Sequence, residues 1–180
     1  MEIRRRKISF QVIFLFITFF LDGIIKWSFF DNINKGTFFV VPQLMLMALT
    51  MLCLRMDDTR LIIIYGVIFG LSYDFYYSGL IGIYTVLIPV ILYGIDHYKY
   101  LFASSDFIYE ISVYFIVLVV LQTFVYLLER LFQQTTTDFL DYVTFTLGPT
   151  LLFNIVMFFI LYVIMARICD WLVKYRRESR

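Results

Sequence analysis

Six apolar runs, each about as long as a membrane crossing, occupy most of this chain and leave little sequence for a domain surrounded by water. They extend over about Ile8 to Phe30, Thr37 to Leu54, Leu61 to Tyr77, Leu80 to Ile95, Phe107 to Leu128 and Tyr142 to Ala166. A helix rising about 1.5 Å per residue needs about 17–25 residues to cross about 30 Å of hydrocarbon, and the runs fall near that length. Apolar residues make up 62% of the 180, against about 45–50% in a soluble domain, and one soluble core of this size cannot hide the excess. The runs are continuous rather than alternating, which excludes an outer-membrane barrel. The expected fold is therefore an all-α integral membrane protein, a six-transmembrane-helix bundle forming one domain over residues 1–180. The first run follows a basic cluster but is too long for a signal peptide and has no small-residue cleavage site, so it reads as a retained anchor.

The charges orient the bundle. The net charge is only +1, which argues against nucleic-acid binding, but the 15 Lys and Arg residues are unevenly placed. With both termini in the cytoplasm, the inner side carries Arg4, Arg5, Arg6, Lys7, Arg55, Arg60, Lys99, Arg167, Lys174, Arg176, Arg177 and Arg180. Lys26, Lys35 and Arg130 are left for the outer side. A twelve-to-three bias is what the positive-inside rule expects of a multi-pass protein of the cell membrane, N-in and C-in. The basic ends also suit anionic lipids. Tyr73, Tyr76 and Tyr77 at one end of the third run, and Trp171 and Tyr175 at one end of the sixth, suit the headgroup layer.

Polar groups within the runs need a reason to be there. Gly66, Gly70 and Asp74 recur at intervals of four and line one stripe of the third helix. Two such glycines let another backbone approach closely, and Asp74 at the top of the groove can accept hydrogen bonds from a neighbouring helix end or loop amide. Gly79 and Gly82 fall where the chain must reverse into the fourth helix. The stripe serves either packing within the chain or recognition of a partner. Asp22 and Lys26, also four apart with the acid first, are placed for an intramembrane ion pair. Gln122, Asn154, Pro42, Pro89 and Pro149 are milder interruptions, the last two predicting kinks. Glu129 to Asp141 is the longest outer loop.

Little chemistry is available. His97 lies beside Asp96 with no nucleophile motif nearby, Cys53 and Cys169 form neither a disulfide framework nor a ligand set, and no phosphate-binding loop is present. The sequence reads as a non-enzyme with no metal and no cofactor.

Residues 65–93, YGVIFGLSYDFYYSGLIGIYTVLIPVILY, resemble the signature region of the rod-shape-determining MreD family: G-x-x-x-G-[L/A]-x-x-D, a short gap, then a small residue and G-hydrophobic. Length, six spans and cytoplasmic termini fit as well. The resemblance implies a non-enzymatic component of the bacterial cell-elongation machinery that binds MreC, a bitopic membrane protein. Through it such a protein would couple MreB filaments to peptidoglycan synthases. The matching positions are Gly66, Gly70, Asp74, Gly79 and Gly82. The six-helix plan is also similar to the substrate-binding S components of energy-coupling-factor vitamin transporters. That class carries alanine-rich motifs on its first helix, whereas the alanines here, Ala48, Ala103 and Ala166, lie outside the first span.

Overall fold

The computed structural model describes residues 2–31, 38–78, 82–101 and 107–174, and every regular element among them is helical. The first apolar run forms α1 (Glu2–Ile25), which closes in a π-helical turn, Lys26–Asp31. The second forms α2 (Leu44–Arg55), and the third forms α3 (Thr59–Tyr73) with a π-helical turn at Asp74–Ser78. The fourth is α4 (Ile83–Tyr98), the fifth α5 (Phe107–Leu131). The sixth is a near-continuous rod: α6 (Phe139–Tyr142), a π-helical turn at Val143–Leu147, and α7 (Gly148–Lys174). Pro149 has no N–H to give to the preceding turn, and the wider turn falls directly before it. Pro89, by contrast, lies inside α4 without ending it.

Among the described residues, three helical stretches are long and apolar enough to cross a membrane: Lys7–Ser28, Phe107–Leu131 and Phe139–Val173. α2 and α4 are shorter apolar helices. The second run departs most from its expected form. The sequence predicts one helix over 37–54, but residues 38–43 are not helical and α2 begins only at Leu44. Pro42 disfavours helical geometry in the residue before it and supplies no N–H of its own. At about 1.5 Å per residue the 12 residues of α2 rise about 18 Å, well short of a bilayer core.

α2 is the centre of the bundle. It contacts α1, α3, α4, α5 and α7, and Leu44 through Cys53 are all buried. A helix that is apolar on every side belongs where every side is covered. Lipid tails are as apolar as leucine, so close packing and satisfied polar groups, rather than exclusion of water, hold such a bundle together. Tyr65, Phe69 and Tyr73 of α3 and Tyr114, Leu118 and Leu121 of α5 bury against the same core. Lys7 Nζ donates to the Trp171 carbonyl at 3.1 Å and Gln11 Nε2 to that of Leu172 at 3.4 Å, so the first and last helices meet at one end.

Candidate functional site

The glycine stripe of α3 faces α4. A Cβ on Gly70 would stand 2.6 Å from the Tyr84 carbonyl oxygen and 2.9 Å from Thr85 Cα, so only glycine allows the two backbones to lie this close. Gly66 is a little less constrained: its Cβ would meet Leu92 Cδ1 at 2.9 Å and Pro89 Cα at 3.1 Å. One turn beyond Gly70, Asp74 is fully enclosed. Its Oδ1 accepts from the Tyr84 amide at 2.8 Å. Its Oδ2 accepts from the Gly82 amide at 2.8 Å, the Thr85 amide at 3.0 Å and the Thr85 hydroxyl at 2.5 Å. The first amides of a helix have no partner within it and carry partial positive charge, so a carboxylate placed there satisfies both needs. Gly82, just before α4, has φ +117°, a left-handed value that side chains rarely adopt. Gly66, Gly70, Asp74 and Gly82 thus converge on the joint between α3 and α4. Gly79 lies outside the described residues.

A second capped helix start stands beside the first. Asp22, 1% exposed, accepts from the Leu44 amide at 2.6 Å through Oδ1 and from the Met45 amide at 3.0 Å through Oδ2. The Tyr73 hydroxyl adds a bond of 2.5 Å to Oδ2. Asp22 therefore does for α2 what Asp74 does for α4. Tyr73, next to Asp74 in sequence, ties the two together, and its ring also packs against Tyr84 with centroids 5.3 Å apart. Lys26 lies one turn beyond Asp22, in the π-helical turn.

Side chains of α7 support the stretch leading into α2. Thr150 Oγ1 accepts from the Val41 amide at 3.1 Å, and Asn154 Oδ1 from the Gln43 amide at 2.8 Å. Asn154 Nδ2 donates to the Val41 carbonyl at 2.8 Å, and the Phe39 amide donates to the Phe145 carbonyl at 2.8 Å. Alternate residues 39, 41 and 43 turn their backbone toward α7, the spacing of an extended strand. The Tyr114 hydroxyl bonds the Gln43 carbonyl at 3.1 Å. Non-helical backbone packed among apolar helices needs partners for its polar groups, and here Thr150 and Asn154 supply them.

The other end of α2 is held by cations. Lys99 Nζ donates to the Cys53 and Met56 carbonyls and pairs with Asp96 at 2.6 Å. Burial alone would lower the Lys99 ammonium, but the hydrogen bond and charge of Asp96 outweigh it and hold it above its ordinary value. Arg55 bridges Glu110 at 2.8 Å and Asp170 at 2.9 Å, joining α2 to α5 and α7. Asp22 at its start and Lys99 with Arg55 at its end give α2 the charges its dipole favours. Sequence reasoning missed the Arg55–Glu110–Asp170 cluster, although an acid four residues into an apolar run was a signal for it. His97 is exposed and packs beside Tyr93 and Tyr98.

Both capping carboxylates are enclosed, with every oxygen occupied by a donor from this chain. Such groups fix where helices begin and how they lie against one another. The chain matches the family model described as rod shape-determining protein MreD over residues 4–171. No curated protein and no solved structure matches it at a significant level.

Proposed function

This chain belongs to the MreD family of bacterial rod shape-determining membrane proteins, and we propose that it acts as a non-enzymatic scaffold of the cell-elongation complex. It binds an MreC-like bitopic membrane protein and so helps couple cytoskeletal filaments to peptidoglycan synthesis. The observation that carries this reading is the extent of the match, which takes in every helix rather than one motif. The inward-facing polar groups are consistent with it. Asp22 and Asp74 are occupied in setting helix positions, which leaves the outer helix faces for partners.

The chain crosses the cell membrane six times in this reading, with both termini cytoplasmic and the second crossing completed by residues 38–43. The hydrogen bonds joining Lys7 to Trp171 and Gln11 to Leu172 support two termini on one side. The cations Lys7, Arg55 and Lys99 and the exposed Arg167 support a cytoplasmic assignment for that side.

Co-purification in detergent with an MreC-like partner tests the scaffold role. Gly70→Leu and Asp74→Ala are expected to lower complex yield, because each disturbs the joint between α3 and α4. Gly94→Ala, on the same hairpin with open space at its Cβ position, is expected to leave the yield unchanged. Size-exclusion profiles of each variant alone separate loss of the partner from loss of the fold. Absence of a complex with the unmodified chain overturns the reading, and unchanged yield with both Gly70→Leu and Asp74→Ala removes the α3–α4 joint from it.

A further inference from the structure

A groove of about 220 Å³ runs between α1 and α7 at the end where α1 begins and α7 finishes. Phe10, Ile13, Phe14 and Ile17 form its α1 wall, and Ile168 and Leu172 its α7 wall. Trp171 stands at its mouth, 58% exposed, with Phe10 packed edge-on against it at 5.6 Å. Lys7 reaches the same place: its ammonium sits 5.7 Å from the centre of the Trp171 ring while bonding the Trp171 carbonyl. We propose that this groove holds one acyl chain of an anionic phospholipid, with the headgroup against Lys7 and Trp171.

Shape and charge both select this occupant. From Phe10 to Ile17 the helix rises about 10 Å, so the groove accommodates the part of a hydrocarbon chain nearest the headgroup. A transmembrane helix is about 10 Å across and would cover so narrow a groove without entering it. Tryptophan and lysine side chains favour the boundary between headgroups and hydrocarbon, which puts the mouth at headgroup level. Arg167 is exposed and lies one turn before Trp171 on the same helix face, adding a second cation. Asp170, the acid beside Trp171, is held by Arg55 on the side of α2. The site therefore sets the basic side chains of Lys7 and Arg167 beside an apolar slot, an arrangement that suits an anionic headgroup better than a zwitterionic one. The inference needs the bundle to lie in a bilayer, as in the proposed function, and needs none of that function's protein partners.

Native mass spectrometry of the delipidated full chain, titrated with phosphatidylglycerol or phosphatidylcholine, tests it. Phosphatidylglycerol is expected to bind as a single adduct about thirtyfold tighter, from about 1 kcal/mol for each of Lys7 and Arg167 near the headgroup. Lys7→Glu should abolish that preference, and Ile17→Phe, which fills the slot, should weaken both lipids while leaving the melting temperature unchanged. Equal binding of the two lipids by the unmodified chain overturns the proposal, as does a preference that survives both substitutions. Adding an MreC-like bitopic protein separates the occupants. An adduct retained in the complex supports the lipid, and one expelled on complex formation assigns the groove to a helix. Failure to form any complex leaves the lipid result standing.

Discussion

Asp22 and Asp74 carry out one task over very different distances in the chain. Asp74 caps a helix whose first amides lie 8–11 residues further on, inside the hairpin it belongs to. Asp22 caps one whose first amides are 22 and 23 residues away and takes a third bond from Tyr73, 51 residues on. The Asp74 joint is thus a local device that sets one hairpin, and the Asp22 joint is a junction of α1, α2 and α3. Local joints are reinforced by a glycine stripe that brings backbones together. The long-range joint relies on the Asp22 and Tyr73 side chains, with Thr150, Asn154 and the Phe39–Phe145 backbone bond holding the approach to α2.

The largest effect tests whether the local joint is as rigid as its spacing implies. Gly70→Leu would drive a side chain into the Tyr84–Thr85 backbone, which cannot yield as a side-chain tip can. A loss above about 3 kcal/mol is expected, seen as little folded chain recovered in detergent. A normal yield and melting temperature would mean that α3 and α4 can separate freely. Next come the acids themselves. Asp74→Ala leaves three amides and a hydroxyl without their acceptor and Asp22→Ala leaves two amides and a phenol. At about 1–3 kcal/mol for an unsatisfied group, partly recovered by rearrangement, each should lower stability by about 2–3 kcal/mol in thermal melts. A clearly smaller value at Asp22 would show that the long-range joint follows the packing rather than directing it.

Much of this difference could be read in the sequence for one joint and not for the other. Gly66, Gly70 and Asp74 follow one another at intervals of one helical turn, and Gly82 falls eight residues on where the chain reverses, so their convergence follows from spacing. Asp22 has a local candidate in Lys26, and spacing offers no way to anticipate amides beyond a 12-residue gap or a tyrosine on α3. The non-helical stretch 38–43 was hidden for a related reason: hydropathy reports that a segment is apolar, not whether it is coiled. Pro42 together with Thr150 and Asn154 held the clue, but only their meeting in space makes it legible. The six apolar runs, by contrast, each coincide with a helix apart from that stretch, although α1 begins six residues before its run and α7 continues eight residues beyond its own, because hydrophobic length is a property of each run alone.

Tyr73→Phe measures the link between the two joints. Losing one hydroxyl bond to a carboxylate should cost about 1.5–2 kcal/mol. In double-mutant cycles, Tyr73→Phe with Asp22→Ala should fall short of additivity by more than about 0.5 kcal/mol, since both remove the same bond. With Asp74→Ala the shortfall should be smaller, because Asp74 takes its bonds from α4 and the Tyr73 hydroxyl bonds Asp22. Strong coupling in the second cycle would merge the joints into a single unit.

The smallest effects come from the glycines of the same hairpin. At Gly66 an added methyl meets the flexible tip of Leu92 first and the Pro89 backbone at 3.1 Å, a contact that a shift of a few tenths of an ångström relieves. Gly66→Ala should therefore cost about 1 kcal/mol, well below Gly70→Leu. Gly94, inside α4, would place its Cβ in open space, so alanine there adds no clash and improves the helix propensity by up to about 1 kcal/mol. Gly94→Ala should match or exceed the unmodified chain in thermal melts. A loss at Gly94 as large as that at Gly66 would mean that backbone flexibility in α4, rather than close approach to α3, is what these glycines supply.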